Sequence, residues 1–418
     1  MFWACRAAIK HLEMNTAQAV PDQTRFRWFI LFGVWLIYFS FGVAIASMAP
    51  MVAPISADLG AGNTLMGGIL GAWPLAYIIA AIPCGILLDK FGVRPMLLVA
   101  TLIMATSLFA RSFADTPLQM MLAVALFGLG GPLISVGAPK TIANLFEGTQ
   151  RATAMGIYVT GPYLGGIFAL GLTNSVALPL AGGDWRGVML IYGGLVLAAG
   201  MIWFAITCHR EFSRQSTGSE QGKKFNLAAF RDILQLPEVR MILAMSIGIF
   251  FINHALNNWL PELLRHRGFT PVEAGLWAAI PSAMGVLGVL VIPRLATPDR
   301  RLAIMGTLFC MSFLASLLLQ SNASAVLASG LVLQGLARGS MMTIAILILM
   351  ETPNIPPERL GLAGGMFFTS AEIGGVLGPF SFGLLSDLSA GFEVPLFSIS
   401  LISLLLLLVL FKLRKSQA

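Results

Sequence analysis

The sequence is short of charge for its length. Only 11% of its 418 residues are Asp, Glu, Lys or Arg, whereas a soluble domain has about 25%. Hydrophobic residues make up 57% of the chain, and its mean hydropathy is +0.84. A folded chain of this composition would expose large apolar patches to water. The composition therefore excludes most soluble classes and predicts a protein whose main solvent is lipid.

Cysteines and the motifs of soluble enzymes are scarce as well. The four cysteines are too scattered for a disulfide framework or a metal site: Cys5, Cys84, Cys208 and Cys310. No GxxxxGK[ST] phosphate loop, HExxH zinc motif or GxSxG nucleophile motif occurs in the sequence. We therefore expect no cofactor, no metal and no enzymatic activity.

Apolar runs long enough to cross a bilayer are abundant. A membrane-spanning helix needs roughly 20 apolar residues. We predict twelve spans, at residues 28–50, 64–88, 95–113, 117–145, 152–178, 186–208, 238–260, 271–293, 301–320, 324–350, 360–386 and 391–411. The sequence thus predicts an all-α membrane protein.

The positive charges lie in short tracts between these spans. With the N-terminus in the cytoplasm, 20 Lys and Arg fall inside and four fall outside, namely Arg111, Arg186, Arg265 and Arg267. This asymmetry predicts that both termini are cytoplasmic in a multi-pass protein of a plasma membrane, here a bacterial inner membrane. The same distribution argues against nucleic-acid binding. We expect the bilayer and a small solute as partners, and a monomer.

The longest polar stretch divides the spans into two sets of six. We predict a cytoplasmic tail at 1–27, a six-helix bundle at 28–208, a cytoplasmic linker at 209–237, a second bundle at 238–411 and a tail at 412–418. Met14 is a second candidate for the initiating methionine.

The two sets of spans repeat each other. A shift of 207 residues aligns Pro74 with Pro281 and Gly128 with Gly335, and a shift of 209 aligns residues 165–166 with 374–375. An even number of spans in each half predicts a parallel repeat about an axis normal to the membrane. That arrangement places a substrate site between the halves, near the bilayer midplane.

Residues 85–94, which read GILLDKFGVR, resemble the loop signature of the major facilitator superfamily. The resemblance implies two pseudo-symmetric six-helix bundles and a cytoplasmic gate formed by Gly85, Asp89, Lys90, Gly92 and Arg94. In it, Asp89 with Arg94 locks the gate. The second-half counterpart has Ala296 in place of the aspartate, so only the first copy is expected to form the full charge lock.

Residues 156–166, in span five, resemble the G-P-x-x-G-G element of the same superfamily. The matching residues are Gly161, Pro162, Gly165 and Gly166. Small residues allow close helix approach and proline permits a bend, so ordinary packing explains this element as well as gating does. A looser similarity to the cyanate- and nitrate-type anion porters rests on Gln334-Gly335 and on the segment around Gly268.

Ionisable residues inside the spans are few, and each is a candidate functional group because its burial is costly. Arg338 in span ten, with Gln334 one turn away, is predicted to bind a carboxylate or oxyanion through two hydrogen bonds. Glu372 in span eleven is predicted to couple a proton. The alternative is a structural ion pair between Arg338 and Glu372.

Further candidates lie on spans four and seven. Lys140 either adds positive potential to the cavity, snorkels to the membrane edge or pairs with Glu147. One side of span seven carries Asn253, His254, Asn257 and Asn258, which are predicted either to bind solute or to form a periplasmic gate. His254 is predicted to be a second proton-coupling group or a satisfied hydrogen-bonding residue. Aromatic cavity walls are expected from Trp35, Tyr38, Trp73, Tyr77 and Tyr163.

These features favour a secondary active transporter that moves a small organic or inorganic anion by alternating access. Proton-driven efflux of lipophilic drugs is the second hypothesis, because the span-five element and the Met- and aromatic-rich interior suit such cargo. A non-transporting sensor with a carrier fold is the third.

Overall fold

The computed structural model describes residues 26–208, 227–352, 355–356 and 359–417. Within these ranges, twelve helices are long and apolar enough to cross a membrane. They are α1 (Phe26–Leu59), α2 (Asn63–Phe91), α3 (Val93–Ser112), α4 (Pro117–Leu145), α5 (Gly148–Leu180), α6 (Trp185–Thr207), α7 (Pro237–His266), α8 (Pro271–Leu295), α9 (Pro298–Leu318), α10 (Ser324–Met350), α11 (Leu360–Ser389) and α12 (Glu393–Ser416). The predicted all-α membrane fold is confirmed. Met14 and most of the predicted linker lie outside the described residues.

Several helices are longer than the predicted spans, and some are interrupted. α1 ends in a 3-10 turn, Ala49–Met51, and a short helix, Val52–Leu59. α2 breaks at Gly71, and α5 contains a π turn at Thr173–Ala177. The predicted linker contains a helix of its own, Leu227–Gln235, here called the linker helix. Hydropathy alone does not register helical turns that extend beyond the apolar run, which explains the shorter predicted spans.

The sequence repeat reappears as a repeat of close helix contacts. A side chain at Gly128 on α4 would overlap the carbonyl oxygen of Trp73 on α2, and one at Gly335 on α10 would clash with the carbonyl oxygen of Pro281 on α8. The glycines that the second offset aligns behave alike. Gly165 packs on α1 and Gly374 packs on α7, each against a backbone carbonyl. Small residues at these positions let the helices of each bundle approach closely.

The last helix shows how the outer surface meets lipid. Leu401, Leu405 and Leu408 on α12 are exposed, with half or more of their surface accessible. Exposed leucines on a helix whose own backbone groups are paired suit a hydrocarbon environment.

The two halves are joined at one end of the bundle, here called the closed end. There, the carboxylate of Asp387 on α11 accepts hydrogen bonds from the backbone N–H groups of Asn63 (3.1 Å) and Thr64 (2.7 Å) at the start of α2. It also accepts one from the Thr64 hydroxyl, at 2.6 Å. A carboxylate at a helix N-terminus satisfies free N–H groups and the helix dipole together.

A second contact joins the halves at the closed end. The side-chain amide of Asn174, in the π turn of α5, donates to the carbonyl oxygens of Pro50 at 3.2 Å and of Pro271 at 2.9 Å. Asn174 thus connects the 3-10 turn of α1 and the π turn of α5 to the start of α8.

The other end carries Phe26, Ser416 and the linker helix and is here called the terminal end. The ion pairs that the described residues form there stay within a half or with the linker helix: Asp89–Lys140, Arg301–Glu351 and Arg359–Asp232. A side chain at Gly85 on α2 or at Gly365 on α11 would meet nothing within 4 Å, whereas one at Gly156 on α5 would lie 3.8 Å from Leu290 on α8. Among the described residues, no ion pair joins the two six-helix halves at this end.

We predict that Asp387→Ala opens the closed end more often, because it removes three hydrogen bonds to a charged acceptor, each worth about 1.5–3 kcal/mol when formed. Labelling of a single cysteine at Ser386 by a membrane-impermeant maleimide, with the four native cysteines replaced, is expected to rise several-fold. Asp387→Asn keeps an acceptor oxygen and is expected to label at an intermediate rate. Equal labelling of all three proteins would contradict the conclusion that the hydrogen bonds of Asp387 hold the closed end shut.

Candidate functional site

The centre of the interface between the halves holds a guanidinium paired with an amide. Arg338 on α10 donates from Nη2 to the Oδ1 atom of Asn257 on α7, at 2.8 Å. Among the described residues the structure gives Arg338 no ion pair, so the predicted alternative, a salt bridge with Glu372, is not present. A cation held by a neutral side chain keeps its charge available for an anion.

Glu372 on α11 lies beside a histidine. Its Oε2 atom is 3.9 Å from Nε2 of His254 on α7 and has no hydrogen-bond donor. The Glu372 side chain is 6% exposed and that of His254 is 15% exposed. The two predicted proton-coupling residues therefore form one group.

The N-terminal half supplies aromatic residues to the same interface. Trp73 on α2 stacks on His254, with ring centroids 5.2 Å apart. Three tyrosines lie close enough to Tyr38 on α1 for electrostatic interaction with it, namely Tyr77 on α2 and Tyr158 and Tyr163 on α5. We call these four residues the tyrosine cluster.

The tyrosine cluster reaches the charged groups of the other half. Tyr163 interacts electrostatically with Arg338, and Tyr77 does so with Glu372. Tyr38 packs against Tyr158 at 5.5 Å between ring centroids. The structure thus places Tyr38 and Tyr163 at this interface, and their role as cavity walls stays a prediction. Tyr158 was not predicted, because a lone aromatic in an apolar span carries no signal of its own.

Two other predicted residues have unsatisfied polar atoms. Both side-chain amide atoms of Gln334, which is 1% exposed, lack a hydrogen-bond partner, and so does Oδ1 of Asn253. Gln334 lies one turn from Arg338, and Asn253 lies one turn from Asn257. Buried polar groups without partners cost free energy, so a ligand that supplies hydrogen bonds here stabilises the bundle.

Lys140 does not reach this interface. Its Nζ atom pairs with Oδ1 of Asp89 at 2.6 Å, joining α4 to α2 at the terminal end. The ion-pair partner of Lys140 is therefore Asp89 and not the predicted Glu147, whereas an added positive potential in the cavity and snorkelling to the membrane edge stay predictions. Asp89 and Arg94 were expected to act together, but the ion-pair partner of Asp89 is Lys140, because α4 packs directly on α2.

The loop signature at residues 85–94 contains the turn between α2 and α3. Gly92 has a φ of +81°, which favours glycine, and its N–H donates to the carbonyl oxygen of Leu88 at 3.0 Å. Lys90 lies over the ring of Phe91, 5.2 Å from its centroid. In the second half Arg301 pairs with Glu351, so this half has an ion pair even though Ala296 replaces the aspartate.

The glycine element of α5 packs mainly on α1. Side chains at Gly161 or Gly165 would press on the α1 backbone near Phe39, whereas one at Gly166 would lie 3.9 Å from the Ser282 hydroxyl of α8. Pro162 touches α1 at Gly42. The element therefore contacts both its own half and, through Gly166, the other half.

One buried charge escaped the sequence analysis. Arg111, predicted to lie outside the membrane, is 2% exposed within α3 and donates to the carbonyl oxygen of Ala44 and to the hydroxyl of Ser47, both at 3.2 Å. Its guanidinium also lies over the ring of Phe127. Arg111 holds the point at which α1 breaks, and its position near the end of an apolar run concealed its burial.

The family model of the Major Facilitator Superfamily matches residues 34–354. The chain belongs to this superfamily. The match begins within α1 and covers α2 to α10, including Arg338, and it ends before α11 and Glu372.

The relatives carry different cargoes. The probable galactarate/D-glucarate transporter GudP of Escherichia coli K12 is 25% identical and covers 94% of each chain. A quinolone resistance transporter of Acinetobacter baumannii is 24% identical, over 84% of this chain and 85% of its own. Relatives named as hexuronate and galactonate transporters match at 22–29% identity. The crystal structure of the nucleoside transporter NupG shares the fold, with a TM-score of 0.74 at 14% identity over 93% of this chain and 99% of its own.

We predict that Gly165→Ala destabilises the protein and that Gly166→Ala, its matched control, does not. The added methyl group at 165 overlaps a backbone carbonyl that cannot move aside, and overpacking of this kind costs roughly 1–3 kcal/mol. The apparent Tm of the detergent-purified protein is expected to fall by several degrees for the first variant only. Equal Tm values for the two variants would show that the element does not hold α5 on α1.

Proposed function

We propose that this protein is a secondary active transporter that carries a small organic anion by alternating access. The observation on which this proposal rests is Arg338, a guanidinium between the two halves whose hydrogen-bond partner is the neutral Asn257. Burial of a charge without a counter-charge is costly, and a bound anion removes that cost. Guanidinium binds carboxylates through parallel hydrogen bonds, which suits an organic acid.

The tyrosine cluster and the unpaired amides support an anion that also carries hydroxyl groups. Phenol hydroxyls and side-chain amides both donate and accept hydrogen bonds, as sugar hydroxyls do. Several relatives are named as transporters of hydroxylated acids, namely galactarate, glucarate, hexuronate and galactonate. A hydroxylated carboxylate places its charge on Arg338 and its hydroxyl groups among Tyr38, Tyr158 and Tyr163.

Glu372 supports coupling to protons. Its Oε2 atom has no donor, and the ionisable group that it faces is a histidine rather than an arginine or lysine. A proton is then the cation that neutralises Glu372. Movement of a neutralised carboxyl with the cargo links the transport cycle to a proton gradient.

The excess of basic residues between spans supports a cytoplasmic terminal end in a bacterial inner membrane. With that orientation the contacts of Asp387 and Asn174 close the outer side, and the end at which the described residues form no ion pair between the six-helix halves faces the cytoplasm. Transport requires these contacts to break while new ones form at the terminal end.

Drug efflux is the second candidate function. The quinolone resistance relative and the aromatic residues around Trp73 favour it. A lipophilic cargo without negative charge does not need Arg338. Substitution of Arg338 therefore distinguishes the two functions experimentally.

We predict that Arg338→Gln lowers affinity for hydroxylated carboxylates such as galactonate by ~100-fold, because the lost hydrogen bonds between charged groups are worth about 1.5–3 kcal/mol each. Binding to the purified protein and uptake into liposomes measure the effect. Arg265→Gln is the control, since Arg265 pairs with Glu262 on its own helix and lies away from Arg338. Unchanged anion transport by the Arg338 variant would refute the proposal, and drug resistance that survives this change would favour efflux.

We also predict that Glu372→Gln abolishes substrate accumulation driven by a pH gradient but leaves exchange of labelled for unlabelled substrate across the liposome membrane. Exchange returns the carrier with cargo bound and needs no net proton movement. The glutamine keeps the size of the side chain and removes its titration. Gradient-driven accumulation at the wild-type rate would exclude Glu372 as the proton site.

A further inference from the structure

The imidazole of His254 is held by aromatic rings from both halves. Trp73 of α2 stacks on it at 5.2 Å with an angle of 27° between planes, and Phe250, one turn earlier on α7, stacks on it at 5.5 Å and 22°. Phe250 belongs to the same helix as His254, so that contact persists through any rigid movement of the halves. The contact with Trp73 crosses the interface and has to break when the halves rock.

The space between Trp73, Phe250 and α11 that holds this imidazole is here called the slot. It also holds Glu372. Nε2 of His254 lies 3.9 Å from the Glu372 carboxylate. A side chain at Gly375 would come within 2.6 Å of Oε2 of Glu372 and 3.2 Å of the imidazole, so α11 closes the slot on that side. A side chain at 375 would therefore displace the Glu372 carboxylate from its place beside the imidazole.

The other titratable groups that face the pair are few. Arg338 on α10 interacts electrostatically with His254, and Tyr77 on α2, one turn from Trp73, interacts with Glu372. Trp73 itself is 7% exposed and has no charge. Its indole thus covers the imidazole of the pair with apolar surface on the side of the N-terminal half.

We propose that Trp73 is a positioning residue that seals the His254–Glu372 proton site while the closed end is shut. This inference rests on the proposed proton coupling. In the present conformation the indole shields the pair beside the contacts that join α2 to α11. When the halves part at the closed end, α2 carries Trp73 away and uncovers the pair to the outside. One movement then changes both cargo access and proton access, so protons do not cross without cargo.

The test measures proton flux without substrate in liposomes that contain a pH-sensitive dye. Trp73→Leu keeps an apolar side chain but cannot stack, and it is expected to raise substrate-free proton flux several-fold and to lower the number of protons moved per substrate. Trp73→Phe retains a ring and is expected to behave like the wild type. The double variant Trp73→Leu, Glu372→Gln is expected to lose the leak, because the leak passes through Glu372.

Substrate exchange by each variant shows that it is folded, and Trp73→Ala serves as a second variant if the leucine variant does not fold. A leak no larger than that of the wild type, or one that persists in the double variant, would overturn the role of Trp73. A wild-type protein that moves substrate without protons would instead refute the proton coupling itself. A merely structural role for Trp73 predicts lower exchange with no leak.

Discussion

The chemistry of the central site depends on two groups of opposite charge in the C-terminal half that do not pair with each other. Arg338 is held by Asn257 and not by a carboxylate, while the nearby carboxylate, Glu372, faces His254. A direct ion pair between Arg338 and Glu372 would neutralise both groups and leave nothing for cargo or for a proton. Their separation keeps one positive and one titratable group available at bilayer depth, where each has a high energetic cost when alone.

The two halves share an architecture but divide the chemistry. The glycines Gly128 and Gly335 occupy equivalent places and perform the same packing task. The interface residues do not follow that symmetry, since the C-terminal half provides the ionisable groups and the N-terminal half provides the tyrosine cluster and Trp73. Cargo that contacts both sets bridges the halves, which makes its binding sensitive to their relative position.

The contacts between the halves combine close backbone packing with hydrogen bonds. Inside a half, helices meet through glycine against backbone, as at Gly165 and Gly374. At the closed end the halves meet in the same way, since side chains at Gly67 and Gly275 would clash with backbone carbonyls of α11 and α5. The hydrogen bonds of Asp387 and Asn174 add to this packing. Opening of this end has to break both kinds of contact.

The sequence by itself determined the solvent, the number of spans, the repeat and the identity of the rare charges at bilayer depth. These follow from local properties, because a segment of sufficient hydropathy enters the bilayer whatever its neighbours are. The loop at residues 85–94 and the span-five element were likewise recognisable, since Gly92 has a positive φ and Gly165 packs against a backbone carbonyl.

Only the tertiary structure decided which of these residues meet. It paired Lys140 with Asp89, separated Arg338 from Glu372, and placed Trp73 against His254, from helices 181 positions apart in the chain. It also buried Arg111, whose place near a predicted span end indicated exposure. Partner choice depends on helix rotation and on the packing of distant segments, and hydropathy contains no information about either.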